Sequence, residues 1–424
     1  MRLTVHTSAA AHYRIVVMGG GTAGIAVSHR FTKLVPKRQL AVVEPSVDHY
    51  YQGGFTLVGA GLKSLASCLR KTQDVINPDA VWVKQAVAEM HPRNNSLILT
   101  DGSEVKYDVL VVAPGLELRY DMVDGLTEAL KQKGVCSIYR PDLTQKTDRE
   151  LHSFEGGQAI FTFPNTPIKC AGAPQKICYV ADEIFRLRDV RNKTKMIYNT
   201  SLGRVFGVEK YAQTLQKIID AKNIELNVRR NLLRVDPLTQ TATFQILDDN
   251  AKPTGKTVDF KYDFLHAAPP CSPVKALREC KELTDAMGWL DVDPKTLLSN
   301  KFNNVLGMGD CLNTPNAKTG AAVSSQMRTI NRNLPALING KKLTGEYDGY
   351  ASCPLMVSLN RVVLAEFNAD GPLETLPING AKPRYSSYLI KRYFLPFLYW
   401  NFLIKGTWLG PATFRKIFHL GFSK

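Results

Sequence analysis

The chain has 424 residues, 44 % of them hydrophobic, and no low-complexity tract or short repeat; this length suits two or three folded domains rather than one core. Lys and Arg outnumber Asp and Glu by 54 to 38, a net charge of +16, which implies attraction to something anionic such as a membrane surface or an acidic substrate. Nucleic acid is not the expected partner, because the basic residues are spread along the chain and neither zinc-finger spacing nor an RNP-type strand occurs. The eight cysteines include no CxxC pair, so neither a metal site nor a thioredoxin motif is expected. They are also too few for a disulfide scaffold, and for any one of them a buried thiol is the ordinary reading. No run of about 18 apolar residues predicts a membrane-crossing helix.

In chain order, residues 1–11 read as a leader or transit-peptide remnant, with hydroxylated residues, Arg2 and no acid before Glu44. The β-branched run Arg14 to Met18 predicts a buried parallel strand, and the turn Gly19-Gly20-Gly21-Thr22-Ala23-Gly24 follows at once. Residues 25–34 have helical apolar spacing, and Leu40 to Val43 is a second strand ending on Glu44. Strand, glycines, helix, strand and acid, with Glu44 twenty residues past Gly24, form a dinucleotide fingerprint. Gly19 permits the tight turn, Gly21 backbone approach to a pyrophosphate, and Gly24 close helix–strand packing; Glu44 holds the ribose.

Two later segments, Val109 to Gly115 and Asn304 to Asp310, are strands running into small-residue turns. Both resemble secondary signatures of flavoproteins with two dinucleotide-binding domains, and that likeness implies FAD. By it, Asp310 binds the ribityl chain, and Gly320-Ala321-Ala322-Val323 turns backbone N–H groups toward the isoalloxazine O2. The expected fold is α/β: two tandem Rossmann-like domains plus a C-terminal amphipathic, helical membrane-anchoring segment. The FAD domain is discontinuous, 12–125 and 275–345, with a second Rossmann-like domain over 126–274 and a quinone-site and anchor region over 346–424. In the second domain, strands at 159–163 and 195–200 and a helix at 208–220 flank Ser201-Leu202-Gly203-Arg204-Val205-Phe206-Gly207. That turn breaks the GxGxxG spacing and puts Arg and Phe where a pyrophosphate needs clear backbone, so no NAD(P)H is expected there.

Cys170 lies in a Pro-rich, small-residue segment before a helix predicted over 175–187, beside Lys169 and Lys176, a setting that favours thiolate. Cys353 lies in a segment that reads as a turn, Asp348-Gly349-Tyr350-Ala351-Ser352-Cys353-Pro354. With these, Glu44-Pro45, His49-Tyr50-Tyr51-Gln52, Thr56 to Gly61, Asn199 to Gly203, Gly309-Asp310-Cys311 and Leu395 to Asn401 resemble the animal mitochondrial sulfide:quinone oxidoreductases over residues 12–422. The resemblance implies a redox pair of Cys170 and Cys353 against one face of the flavin. Hydrosulfide attacks the bridge at Cys353, which becomes a persulfide and leaves Cys170 as thiolate. Glutathione, sulfite or cyanide then takes the sulfane sulfur. It also carries over Thr22, Ala23, Gln52 and Val87 as FAD contacts; Thr22-Ala23 replaces a more usual Ser-Gly, and Pro114 a more usual small residue.

Residues 384–422 interleave aromatic and basic side chains, with breaks at Gly406 and Gly410-Pro411. This pattern predicts an interfacial anchor through which ubiquinone reaches the flavin, with Phe394, Phe397 and Tyr399 lining the entrance. The expected location is the mitochondrial inner membrane, peripheral or monotopic. The competing readings are a type II NADH:quinone dehydrogenase-like flavoprotein, a soluble disulfide reductase and a non-enzymatic flavoprotein. The broken second glycine motif disfavours the first, and the absence of a CxxxxC pair near residues 40–60 the second.

Overall fold

A computed structural model describes residues 11–421; all but the last residue of the expected leader, and Phe422, lie outside them. The first sheet runs Val81–Val83, Leu40–Val43, Ala11–Met18, Glu104–Val112, Ser96–Leu99, Val87–His91, and Val305–Gly307 also pairs with Glu104–Val112. Strand Glu104–Val112 shows how burial selects residues. Where it pairs antiparallel with Ser96–Leu99, buried and open positions alternate; where it lies between Ala11–Met18 and Val305–Gly307, Val109 to Val112 are all buried. Register then sets the site. Met18 lies opposite both Val43 and Val112, and Gly307 opposite Val112. The turns at Gly19, Glu44, Ala113 and Met308 to Asp310 therefore leave one sheet edge together.

The second sheet is wholly parallel, in the order Val135–Cys136, Phe264–His266, Gly157–Phe163, Thr194–Thr200, Glu225–Asn227. Its side chains alternate by period two. Phe161 and Tyr198 join a core with helix Ala173–Leu187, whereas Ile160 and Ile197 face Leu126, Leu232 and Phe244. The expected helix at 208–220 is Glu209–Ala221.

A three-stranded antiparallel sheet, Ala351–Met356, Val362–Asn368 and Gly371–Leu373, packs on helix Ala173–Leu187 and carries Cys353. The predicted turn at Cys353 is thus a strand. Cys353 pairs with Ala365, and Pro354 is tolerated because the other edge of its strand has no ladder partner. Near the C-terminus a helical run covers Tyr385 to Leu403, with wide π turns at Ile390–Phe394 and Tyr399–Leu403. Pro396, which cannot donate to the carbonyl one turn back, sits just after the first of them. Helix Ala412–Phe418 follows the Gly406 and Gly410-Pro411 breaks. Among the described residues no helix is long and apolar enough to cross a membrane.

Candidate functional site

Three glycines of the turn, Gly19, Gly20 and Gly24, sit in contacts that leave no room for a side chain. Gly19 has φ +99°, and a Cβ there would lie 2.5 Å from the Ala113 carbonyl oxygen; one on Gly24 would lie 1.8 Å from the Gly19 oxygen. A Cβ on Gly20 would strike the Glu44 side chain at 2.6 Å, whereas Gly21 faces open space. Glu44 is fixed at the end of its strand: the Gly20 N–H donates to Oε2 at 2.6 Å and the Ser46 N–H to Oε1 at 2.7 Å. Helix Thr22–Phe31 begins here with no side-chain cap and no acid in its first turn, so its first N–H groups remain open to an anion. Val87 begins its strand four residues after Val83, whose carbonyl accepts the Glu44 N–H.

The start of helix Gly320–Ile338 is a second open N-terminus without acid. Thr319 already engages two of the expected flavin-facing groups: its hydroxyl accepts the Ala322 N–H and its carbonyl the Val323 N–H. Gly320 and Ala321 are the two whose N–H groups stay available, and nothing lies within 4 Å of where a Gly320 Cβ would be. Asp310 leaves the sheet edge beside Lys318 and Lys169; burial pushes its carboxyl up while the two ammonium groups oppose that shift. Two helix N-termini, an oriented Glu44 and a glycine cradle fit a flavin dinucleotide.

Cys170 reaches this edge through backbone contacts. Its N–H donates to the Lys318 carbonyl at 2.8 Å, and its φ of +51° holds the loop in a left-handed turn. Lys169 donates to the Gln52 side-chain oxygen at 2.5 Å and to the Tyr139 carbonyl at 3.2 Å. The sulfurs of Cys170 and Cys353 lie 3.7 Å apart. Gly172 makes this possible, since a Cβ there would be 2.6 Å from the Cys353 sulfur. Lys176, in the first turn of helix Ala173–Leu187, donates to Cys170 at 3.0 Å and to Cys353 at 3.8 Å.

Lys176 is only 3 % exposed, so it is a partner of the sulfurs and not the solvated lysine that surface statistics favour. The Cys353 thiol, donating to Cys170, and the Lys176 charge hold the Cys170 thiol well below its ordinary value against burial. Cys353 is pushed the other way by that same hydrogen bond and by burial. Within the pair, ionisation is thus favoured at Cys170 over Cys353.

Lys391 is legible in the sequence only as one of the basic residues of the C-terminal segment. It is 4 % exposed, and burial, with the Lys176 charge next, pulls its ammonium down to about 7. The three residues expected at the quinone entrance part company. Phe394 and Phe397 are half exposed, whereas Tyr399 is buried and bonds Thr22 and His49. Among the described residues no group of three or more His, Cys, Asp or Glu is placed to hold a metal ion.

The turn of the second parallel sheet is built differently. Neither Gly203 nor Gly207 has positive φ, Phe206 is buried, and Arg204 pairs with Glu209 in the first turn of the following helix. A carboxylate and a guanidinium thus stand where a pyrophosphate would need bare N–H groups.

These features define a flavoprotein oxidoreductase with two Rossmann-like units, one of them carrying the dinucleotide turn. No family model matches the chain. It is 43 % identical to the mitochondrial sulfide:quinone oxidoreductase of Mus musculus, over 99 % of this chain and 93 % of the mouse protein. It is 37 % identical to that of Dictyostelium discoideum, over 94 % of this chain and 88 % of that protein. In fold it is similar to the sulfide:quinone oxidoreductase of Aquifex aeolicus, with a TM-score of 0.77 at 16 % identity over 97 % of this chain and 96 % of the other. The chain belongs to the sulfide:quinone oxidoreductase family.

Proposed function

We propose that the protein oxidises hydrogen sulfide, passing two electrons through FAD to ubiquinone and the sulfane sulfur to a small acceptor such as glutathione or sulfite. The observation that carries this reading is the cysteine pair, 3.7 Å apart with Lys176 on both sulfurs, beside the edge where Asp310 and the glycine turn emerge. In the oxidised pair, hydrosulfide attacks Cys353. The Cys170–Cys353 bond breaks, the new S–S bond makes Cys353 a persulfide, and the electron pair of the old bond stays on Cys170 as thiolate, stabilised by Lys176. An acceptor nucleophile takes the outer sulfur and leaves the Cys353 thiolate. Gly19, Gly21, Glu44, Asp310 and the start of helix Gly320–Ile338 would hold the flavin, which when bound would supply the two-electron acceptor for re-forming the cysteine bridge and the donor to quinone. Lys176, whose ammonium the two cysteines favour, gives the anionic substrate a positive charge at the sulfurs.

The C-terminal segment supports quinone exchange at a bilayer. Of the sixteen large apolar side chains exposed among the described residues, ten lie between Tyr385 and Leu420, a concentration typical of an interaction surface. Phe394 and Phe397 remain suited to a quinone entrance, and the mitochondrial inner membrane is the matching location. The closed second turn disfavours an NADH:quinone dehydrogenase.

Purified protein tests this directly. Sulfide should bleach the bound flavin and a short-chain ubiquinone should restore it. Cys170→Ser and Cys353→Ser should each lower sulfide-dependent turnover by about a thousandfold or more. Full turnover in either variant would refute the relay.

A further inference from the structure

Tyr399 sits inside the protein, on the dinucleotide turn. Its hydroxyl is 3.0 Å from the Thr22 hydroxyl and 2.7 Å from His49 Nε2, while His49 Nδ1 is 3.2 Å from the Gly20 carbonyl oxygen. Chemistry orders the chain of donors. The Gly20 carbonyl can only accept, so Nδ1 carries the ring proton; burial keeps the imidazole neutral, so Nε2 accepts. Tyr399 therefore donates to His49, and Thr22 donates to Tyr399. Tyr399 also packs on Tyr51 with centroids 4.7 Å apart, and Trp400 lies edge-on to His49 beneath the Arg70 guanidinium.

The segment continues across both helices that open on the site. A Cβ on Gly406 would lie 2.6 Å from the Ala26 carbonyl of helix Thr22–Phe31, and one on Gly410 3.1 Å from Ser325 of helix Gly320–Ile338. Its two faces differ sharply. Lys391, Tyr399, Ile404 and Arg415 are buried, whereas Phe414 and Phe418 point outward.

We propose that residues 385–418 form a strap that retains the dinucleotide, the Thr22–Tyr399–His49–Gly20 chain holding the glycine turn in its binding shape and a bilayer on the outer face holding the strap down. Cofactor retention and membrane binding are then linked, each strengthening the other. This rests on the assignment of FAD to the glycine turn.

The test follows free-flavin fluorescence after dilution of the full-length holoprotein, with and without vesicles of phosphatidylcholine and phosphatidylglycerol. Tyr399→Phe keeps the ring and loses both hydrogen bonds, so release should quicken about tenfold. Vesicles should slow release from the unaltered protein severalfold, and much less from Phe414→Ser/Phe418→Ser. Release at the unaltered rate from Tyr399→Phe overturns the proposal. So does equal release from vesicle-bound and free protein, or failure to sediment with vesicles. Should Tyr399→Phe not fold, the vesicle comparison on unaltered protein decides alone. Protein lacking flavin, or with flavin that sulfide does not bleach, refutes the functional assignment instead; a bleachable flavin whose release ignores both changes refutes only the strap.

Discussion

The two Rossmann-like units share strand, turn and helix, and differ in what fills the turn. In the first, Gly19 takes a positive φ, Gly21 faces open space and helix Thr22–Phe31 starts without an acid. In the second, Arg204 and Glu209 close the corresponding helix start, and Arg229 lies over Gly203. The second unit contributes to the cysteine pair instead: the loop after Gly157–Phe163 carries Cys170, and helix Ala173–Leu187 carries Lys176. On the proposed function, a fold duplicated in outline divides the work, one copy holding cofactor and the other positioning sulfur.

The largest effect that would sharpen this contrast is expected at Gly24. A methyl group there meets the Gly19 oxygen at 1.8 Å, so Gly24→Ala should yield protein without visible flavin absorbance. Next comes Gly172→Ala, whose methyl group would displace Cys353 and Leu355. Flavin should stay bound while sulfide turnover falls by about a hundredfold, the usual cost of an ångström of misplacement.

Lys176→Met acts through protonation. The ammonium favours the Cys170 thiolate, so removing it raises that thiol and lessens the thiolate present at neutral pH. The pH at which flavin reduction by sulfide is half-maximal should move up by about one unit or more; an unmoved profile would exclude Lys176 from the relay. The smallest expected effect is none: NADH should leave the flavin oxidised. Bleaching by NADH would break the contrast, because the second unit would then have to bind a dinucleotide despite Arg204 and Glu209.

Local patterns make much of this protein legible in its sequence. The dinucleotide turn can be read because glycine spacing, strand runs and Glu44 act over about thirty residues, where covalent geometry dictates what can follow what. The closed second turn is legible for the same reason, from Arg204 and Phe206. The Cys353 segment reads as a turn because Gly349 and Pro354 are turn residues, whereas tertiary pairing with Val362–Asn368 makes it a strand.

The direction in which a side chain faces is not legible. Lys176, Lys391 and Tyr399 are of types usually found exposed or half exposed, and local pattern places two of them among solvated or lipid-facing residues. The fold buries all three among groups distant in the chain: Lys176 meets the Cys353 sulfur, Lys391 the field of Cys170 and Cys353, which favours its ammonium against burial and the Lys176 charge, and Tyr399 the pair Thr22 and His49. By itself, then, the sequence determined the fold class, the cofactor turn and the two candidate cysteines. Only the tertiary structure decided which groups surround those cysteines and that the C-terminal segment reaches back to the cofactor turn, because burial and electrostatics depend on neighbours that no local pattern encodes.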